Sequence, residues 1–110
     1  MELENTEKYL LIKSTENTFE EFNENFQKKL DVISENHIIL DLSNLNTIKK
    51  EDFLLFLDVS KLKQQNGTSF VIVNKMANAD DYPDFFNVVP TFTEAEDILE
   101  MEAIERELGF

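Results

Sequence analysis

The stretch Ile38-Ile39-Leu40-Asp41-Leu42 constrains the fold more than any other part of this chain. Its apolar run lacks the polar-apolar alternation of a strand with one wet face, so it suits a strand buried on both faces of a parallel sheet. Such burial needs packed elements on both sides, which predicts a layered α/β domain.

The other segments fit that plan. Tyr9 to Lys13 is a short apolar run with β character. Thr18-Phe19-Glu20-Glu21 is a capping box, because the Thr18 hydroxyl can satisfy the Glu21 amide and Glu21 can reach back. The helix it opens carries Phe19, Phe22, Phe26, Leu30 and Ile33 at helical spacing, one amphipathic face. A second helix is predicted over about Lys50 to Gln65, closed by Asn66-Gly67, with Gly67 suited to the left-handed C′ position. Phe70 to Val73 is a third strand, and Asp80 to Asn87 is a loop or single helical turn interrupted by Pro83. Val88 and Val89 form a fourth strand ended by Pro90. Thr93-Glu94-Ala95-Glu96 is a further capping box, opening an acidic C-terminal helix over about residues 93–108. The expectation is one domain over residues 1–110: a sheet of about four strands, mostly parallel or mixed, with three main helices.

Charge narrows the partners. The formal net charge is −13, from 23 acids against 10 bases. Nucleic-acid binding draws its affinity from neutralising phosphates with Lys and Arg, so DNA and RNA are not expected as partners. Anionic membrane surfaces are disfavoured for the same reason. The opening Met-Glu-Leu-Glu-Asn-Thr-Glu-Lys is acidic and polar, unlike a signal peptide, and no apolar run is long enough to span a bilayer. A cytoplasmic location is expected.

Catalytic chemistry finds little support. Cysteine is absent and His37 is the only histidine, so neither a thiolate site nor a cluster of His ligands can form. No Gly-x-Ser-x-Gly elbow is present, and two glycines are too few for a phosphate-cradling loop. Asp80, Asp81 and Asp84 do not match EF-hand spacing and lack its turn glycine. No cofactor, metal or catalytic residue is expected, and His37 reads as a strand-edge or surface residue.

The order of these pieces resembles the STAS family, the fold of bacterial anti-sigma factor antagonists. The likeness rests on Asp41-Leu42-Ser43, Leu45, Ile48, the helix from Phe53, Gly67 and Thr91-Phe92-Thr93-Glu94-Ala95, and covers roughly Tyr9 to Leu99. The first strand of the usual STAS hairpin is not visible, which makes this a short or divergent member. Family members that act as switches carry Asp-Ser-Ser/Thr-Gly at the start of the helix, with the phosphoacceptor third. Here the loop reads Lys49-Lys50-Glu51-Asp52, and the acceptor position falls on Glu51. The phosphorylation switch is therefore not carried over. Negative charge near a helix N-terminus is favoured by the helix dipole, which is enough to account for Glu51 and Asp52. The lesser reading is that Glu51 imitates a permanently phosphorylated state, although a carboxylate has less charge and fewer acceptors than a phosphate.

Two helices carry more apolar surface than one sheet face needs. On the second, Phe53, Phe56, Leu57 and Ser60 form one face, and Leu55, Val59 and Leu62 another. The resemblance makes this helix part of a partner-binding surface. Burial under a neighbouring helix is the other explanation. On the last helix Ala95, Ile98 and Leu99 lie together, while Met101, Ile104 and Leu108 lie well round the cylinder. That second half, with Phe110 beyond it, either wraps the same core or docks a partner. The reading is a non-catalytic, regulatory protein-interaction module of STAS type, with an unidentified protein as partner, a basic one being what the acidic charge points to beyond simple solubility. Its alternative is a self-associating homodimeric module. A nucleotide-binding or enzymatic domain ranks last, because no basic or Gly-rich cradle exists for a phosphate.

Overall fold

The computed structural model describes residues 1–110 except Asn46, Thr47, Ala77 and Phe110; of Ala79 only the backbone is described. Five strands form one sheet in sequence order: β1 (Glu2–Asn5), β2 (Leu10–Lys13), β3 (Ile38–Asp41), β4 (Phe70–Val73) and β5 (Asn87–Val89). β1 pairs antiparallel with β2, and every later pairing is parallel.

The absence of a first hairpin strand, expected from sequence, is corrected by β1. All four of its residues are exposed, so Glu2-Leu3-Glu4-Asn5 carries no buried face to announce it. Backbone pairing with β2 holds it instead. The turn between them is set by Thr6, whose hydroxyl accepts from the amides of Lys8 (3.2 Å) and Tyr9 (3.0 Å).

Parallel strands that follow one another in order are joined by right-handed crossovers, which bring the connecting helices to one face. That face receives α1 (Phe19–Gln27), α2 (Leu30–Glu35), α3 (Lys50–Phe53) and α4 (Leu57–Gln65). A 3-10 turn, Leu54–Phe56, joins α3 to α4. After β5 the chain crosses to the other face, where α5 (Phe92–Glu107) packs on β3, β4 and β5. The register makes both faces apolar. Ile12, Leu40, Ile72 and Val88 align across the sheet toward α1–α4, and Leu11, Ile39 and Val71 align toward α5. The two-sided burial expected for Ile38 to Leu42 is met at Ile38, Ile39, Leu40 and Leu42, with Asp41 only half-buried, and Phe70–Val73 is buried in the same way.

Three element boundaries differ from the sequence expectation. The first helix is two helices, because it tightens at its end with the Lys29 amide donating to the Phe26 carbonyl at 3.0 Å. The second is interrupted by the Leu54–Phe56 turn. The last helix is capped by Thr91 rather than Thr93: the Thr91 hydroxyl accepts from the Glu94 amide at 3.2 Å. Both threonines precede a suitably spaced Glu. The earlier cap puts Phe92 in the first turn, where its ring meets Tyr9 edge-on at 6.2 Å. At Thr18 the first half of the expected box forms, with the Glu21 amide donating to Thr18 Oγ1 at 3.2 Å.

Glu16 ties the chain's start to α1. Burial alone would push its carboxyl up. Hydrogen bonds from the Met1 ammonium, the Asn25 amide and nearby backbone amides reverse this, holding it at about 2 against an ordinary 4.5. A folded-state value below the unfolded one contributes stability above pH 4.5 that is lost as pH falls toward 2. Glu16→Gln removes that titration. Across this acid range the parent chain should lose about 1–3 kcal/mol more than the variant does, read from urea midpoints. Parallel pH profiles for the two would show that the carboxylate is solvated.

Candidate functional site

The loop after β3 lies at the carboxyl end of the parallel strands, where open α/β sheets usually bind ligands. Among the described residues of that end, short polar side chains tie the loops to one another. Asp41 Oδ1 accepts from the Ser43 amide at 2.9 Å, and Asn44 Nδ2 donates to the Ser14 carbonyl at 3.1 Å. Asn74 is buried, and its Nδ2 donates to the Leu42 carbonyl at 3.0 Å. Among the described residues, every buried side-chain nitrogen and oxygen has a hydrogen-bond partner.

The residues that open α3 divide their work. Lys49 is the N-cap of α3, and its amide donates to Asp52 Oδ2 at 2.9 Å. Asp52 therefore serves the helix terminus. Lys50 Nζ lies 3.7 Å from Asp81 Oδ1 with both side chains about half exposed, a pair of small energetic weight. Glu51 is exposed in the first turn. Its charge and that of Asp81 add to burial in raising the pKa of the Tyr82 hydroxyl.

On the α3–α4 segment the structure separates the two apolar faces. Phe53, Phe56 and Ser60 are buried, while Leu55 is 57% and Leu62 50% exposed. Val59 packs partly against the core, so the expected outer face is not wholly free. Lys63 was not among the residues that sequence reasoning singled out, although its spacing from Phe53, Phe56 and Ser60 places it on the inner face. It is fully buried. Its Nζ donates to the Ile33 carbonyl at 2.7 Å and to the Asn36 carbonyl, capping the C-terminus of α2.

On α5 only Ala95 and Leu99 are buried; Met101 (58%), Ile104 (51%) and Leu108 (66%) stand in solvent. At 3.6 residues per turn these three lie roughly 140–200° round the helix from Leu99. Toward the sheet, the last turns present Arg106, whose Nη1 donates to Ser69 Oγ at 3.2 Å, and Glu102, which accepts from Asn87 Nδ2 at 3.3 Å. The inward face thus turns polar as the outward face turns apolar. Phe110 lies outside the described residues. Because α4 and α5 cover opposite faces of the sheet, Leu55 and Leu62 do not join Met101, Ile104 and Leu108 in one surface.

His37 is half-buried rather than a surface group. Its Nδ1 accepts from the Ser69 amide at 3.0 Å, fixing the start of β4 against β3. Burial, then the Arg106 and Lys63 charges, lower its pKa against a smaller opposing effect from Glu102. Beside it a cavity of about 590 Å³ opens between the β1–β2 turn and α5, lined in part by Tyr9 and Glu96. Tyr9 was read from sequence only as strand; its hydroxyl donates to Glu96 Oε2 at 3.2 Å.

This layered arrangement, a mixed sheet with α1–α4 on one face and α5 on the other, is a STAS-like fold. A solved structure described as the molecular architecture of the stressosome, a signal integration and transduction hub, superposes with a TM-score of 0.55 at 13% identity, covering 93% of this chain and 98% of that one. No family model and no curated protein sequence matches the chain. Among the described residues no helix is long and apolar enough to cross a membrane.

Proposed function

We propose that this chain is a single-domain, non-catalytic protein-interaction module of STAS type. It works in regulation within the cytoplasm and does without the serine phosphorylation switch. The observation that carries this reading is the outward stripe Met101, Ile104 and Leu108, set opposite the Ala95 and Leu99 that dock α5 on the sheet. Large apolar side chains gathered on one helical face mark a contact surface. The likeness to a structure described as a signal integration and transduction hub supports a role in assembly and regulation. The loop supports the missing switch: Asp52 is used as a helix cap, and Glu51 stands where the resembled family has its phosphoacceptor.

Ile104→Asp tests the reading. It places a charge in the middle of the stripe, at a position half exposed in the folded chain. Circular dichroism and Tm should stay nearly unchanged, since surface substitutions usually cost about 0.5 kcal/mol or less. Partners captured by the tagged parent chain, from extracts of the cells that make it, should be lost by the variant. Retention of every captured protein, or a marked fall in Tm, would remove α5 from the binding surface.

A further inference from the structure

We propose that the outer face of α5 seats a basic amphipathic helix of a partner protein, one of whose Lys or Arg side chains enters the neighbouring cavity. This rests on the interaction-module reading and names the chemistry of the partner. Met101, Ile104 and Leu108 supply anchors at successive spacings of three and four, the pattern by which one helix recognises another.

Charge decides what covers them. At 3.6 residues per turn, Glu100 and Glu107 flank the stripe at roughly 80–100° from Leu99, and Glu94 and Glu105 flank it at roughly 220–240°. The helix has one base, Arg106, and its guanidinium is turned inward onto Ser69 Oγ at 3.2 Å. Both borders of the apolar stripe are therefore acidic. A second copy of the chain would set these carboxylates against their own images, in a protein of net charge −13. Like charges facing one another across an interface repel and disfavour that pairing, whereas a basic helix neutralises them.

The cavity beside the stripe has the same preference. It measures about 590 Å³, and Glu7, Glu96, Asp97 and Glu100 line it together with Lys8 and Arg106. Four carboxylates outnumber two cations, one of which is already bonded to Ser69. The ring of Tyr9 stands in the same cavity, with its hydroxyl held by Glu96 at 3.2 Å. A carboxylate beside an aromatic face suits an ammonium or guanidinium group. Glu100, at roughly 100° from Leu99, lies on α5 between the cavity and the stripe, and Asp97, at roughly 160°, lies on the stripe's own side one turn before Met101. A helix seated on the stripe thus runs along the cavity mouth.

Fluorescence anisotropy with the full chain tests this. The probes are two labelled synthetic helices, each about five turns long, with the same Leu stripe. One has Lys and Arg on its polar face and the other has Glu. The basic helix should bind and the acidic one should not. Ile104→Asp should weaken binding at least about tenfold, although it makes the protein more acidic. The double change Glu96→Gln with Glu100→Gln should weaken it about three- to tenfold, and added salt should weaken it further. Leu55→Asp, on the opposite layer, should leave it unchanged. Equal binding of the two probes, or binding that Ile104→Asp leaves intact or tightens, overturns the proposal, because the attraction would then be unseated charge. Ile104→Ala serves if the Asp variant does not fold. Sedimentation of the pure chain separates the two levels. A dimer split by Ile104→Asp makes the occupant a second copy, overturning the basic partner while leaving the interaction surface in place. Loss of fold in both Ile104 variants removes the surface itself.

Discussion

Phe26→Ala lowers the unfolding free energy by about 3–5 kcal/mol, the scale for truncating a buried Phe. Phe26 is fully buried at the centre of an aromatic cluster. Its ring meets Phe56 edge-on at 5.0 Å, Phe22 at 5.8 Å and Phe70 at 6.5 Å. These partners come from α1, the turn between α3 and α4, and β4, so one side chain fastens two crossovers to the sheet. The edge-to-face pair with Phe56 adds to the area term, which puts the cost in the upper half of that range. Domains of this size keep only about 5–15 kcal/mol in total, so Tm should fall by roughly 10–25 °C. An unchanged Tm would mean that the inner face of α1 is assigned wrongly.

Lys63→Ala should cost about 3 kcal/mol, and Lys63→Met distinctly less. The alanine variant loses the packed stem and leaves the Ile33 and Asn36 carbonyls without their donor at the end of α2. Methionine keeps the stem and removes the buried charge, which offsets part of the lost hydrogen bonding. Burial lowers the Lys63 pKa from 10.5 to about 8. Between those values the unfolded chain binds a proton that the folded chain has released. The group's contribution to stability therefore rises with pH across that window. Urea midpoints from pH 8 to 10.5 should accordingly show the parent chain gaining on Lys63→Met. A midpoint for Lys63→Ala equal to the parent's would show that the amine is not needed at the α2 terminus.

The parts of the fold that were legible are those governed by local pattern. Ile38 to Leu42 reads as a strand buried on both faces because nearly every residue is apolar, and Ile38, Ile39, Leu40 and Leu42 are buried so. Phe19, Phe22 and Phe26 read as one helical face from their spacing, and all three are in the core. The separation of Met101, Ile104 and Leu108 from Ala95 and Leu99 round the last helix was also visible, but whether the helix bends to bury them was not, and the structure leaves them exposed. β1 was not legible, since an edge strand held by backbone hydrogen bonds alone imposes no pattern on Glu2-Leu3-Glu4-Asn5. Of two equally good capping boxes, local chemistry could not select Thr91. Packing of Phe92 against Tyr9, far away in sequence, favours it.

The sequence by itself determined the alternation of strands and helices, the buried strand Ile38 to Leu42 and the separation of Met101, Ile104 and Leu108 from Ala95 and Leu99 on α5. Each follows from side-chain period and hydrophobicity over a few residues. Only the tertiary structure decided that Lys63 is a buried helix cap, that Val59 packs partly inward, and that the stripe of α5 lies beside an acidic cavity. Those facts depend on which distant segments meet, and the crossovers that bring them together leave no mark on any one segment.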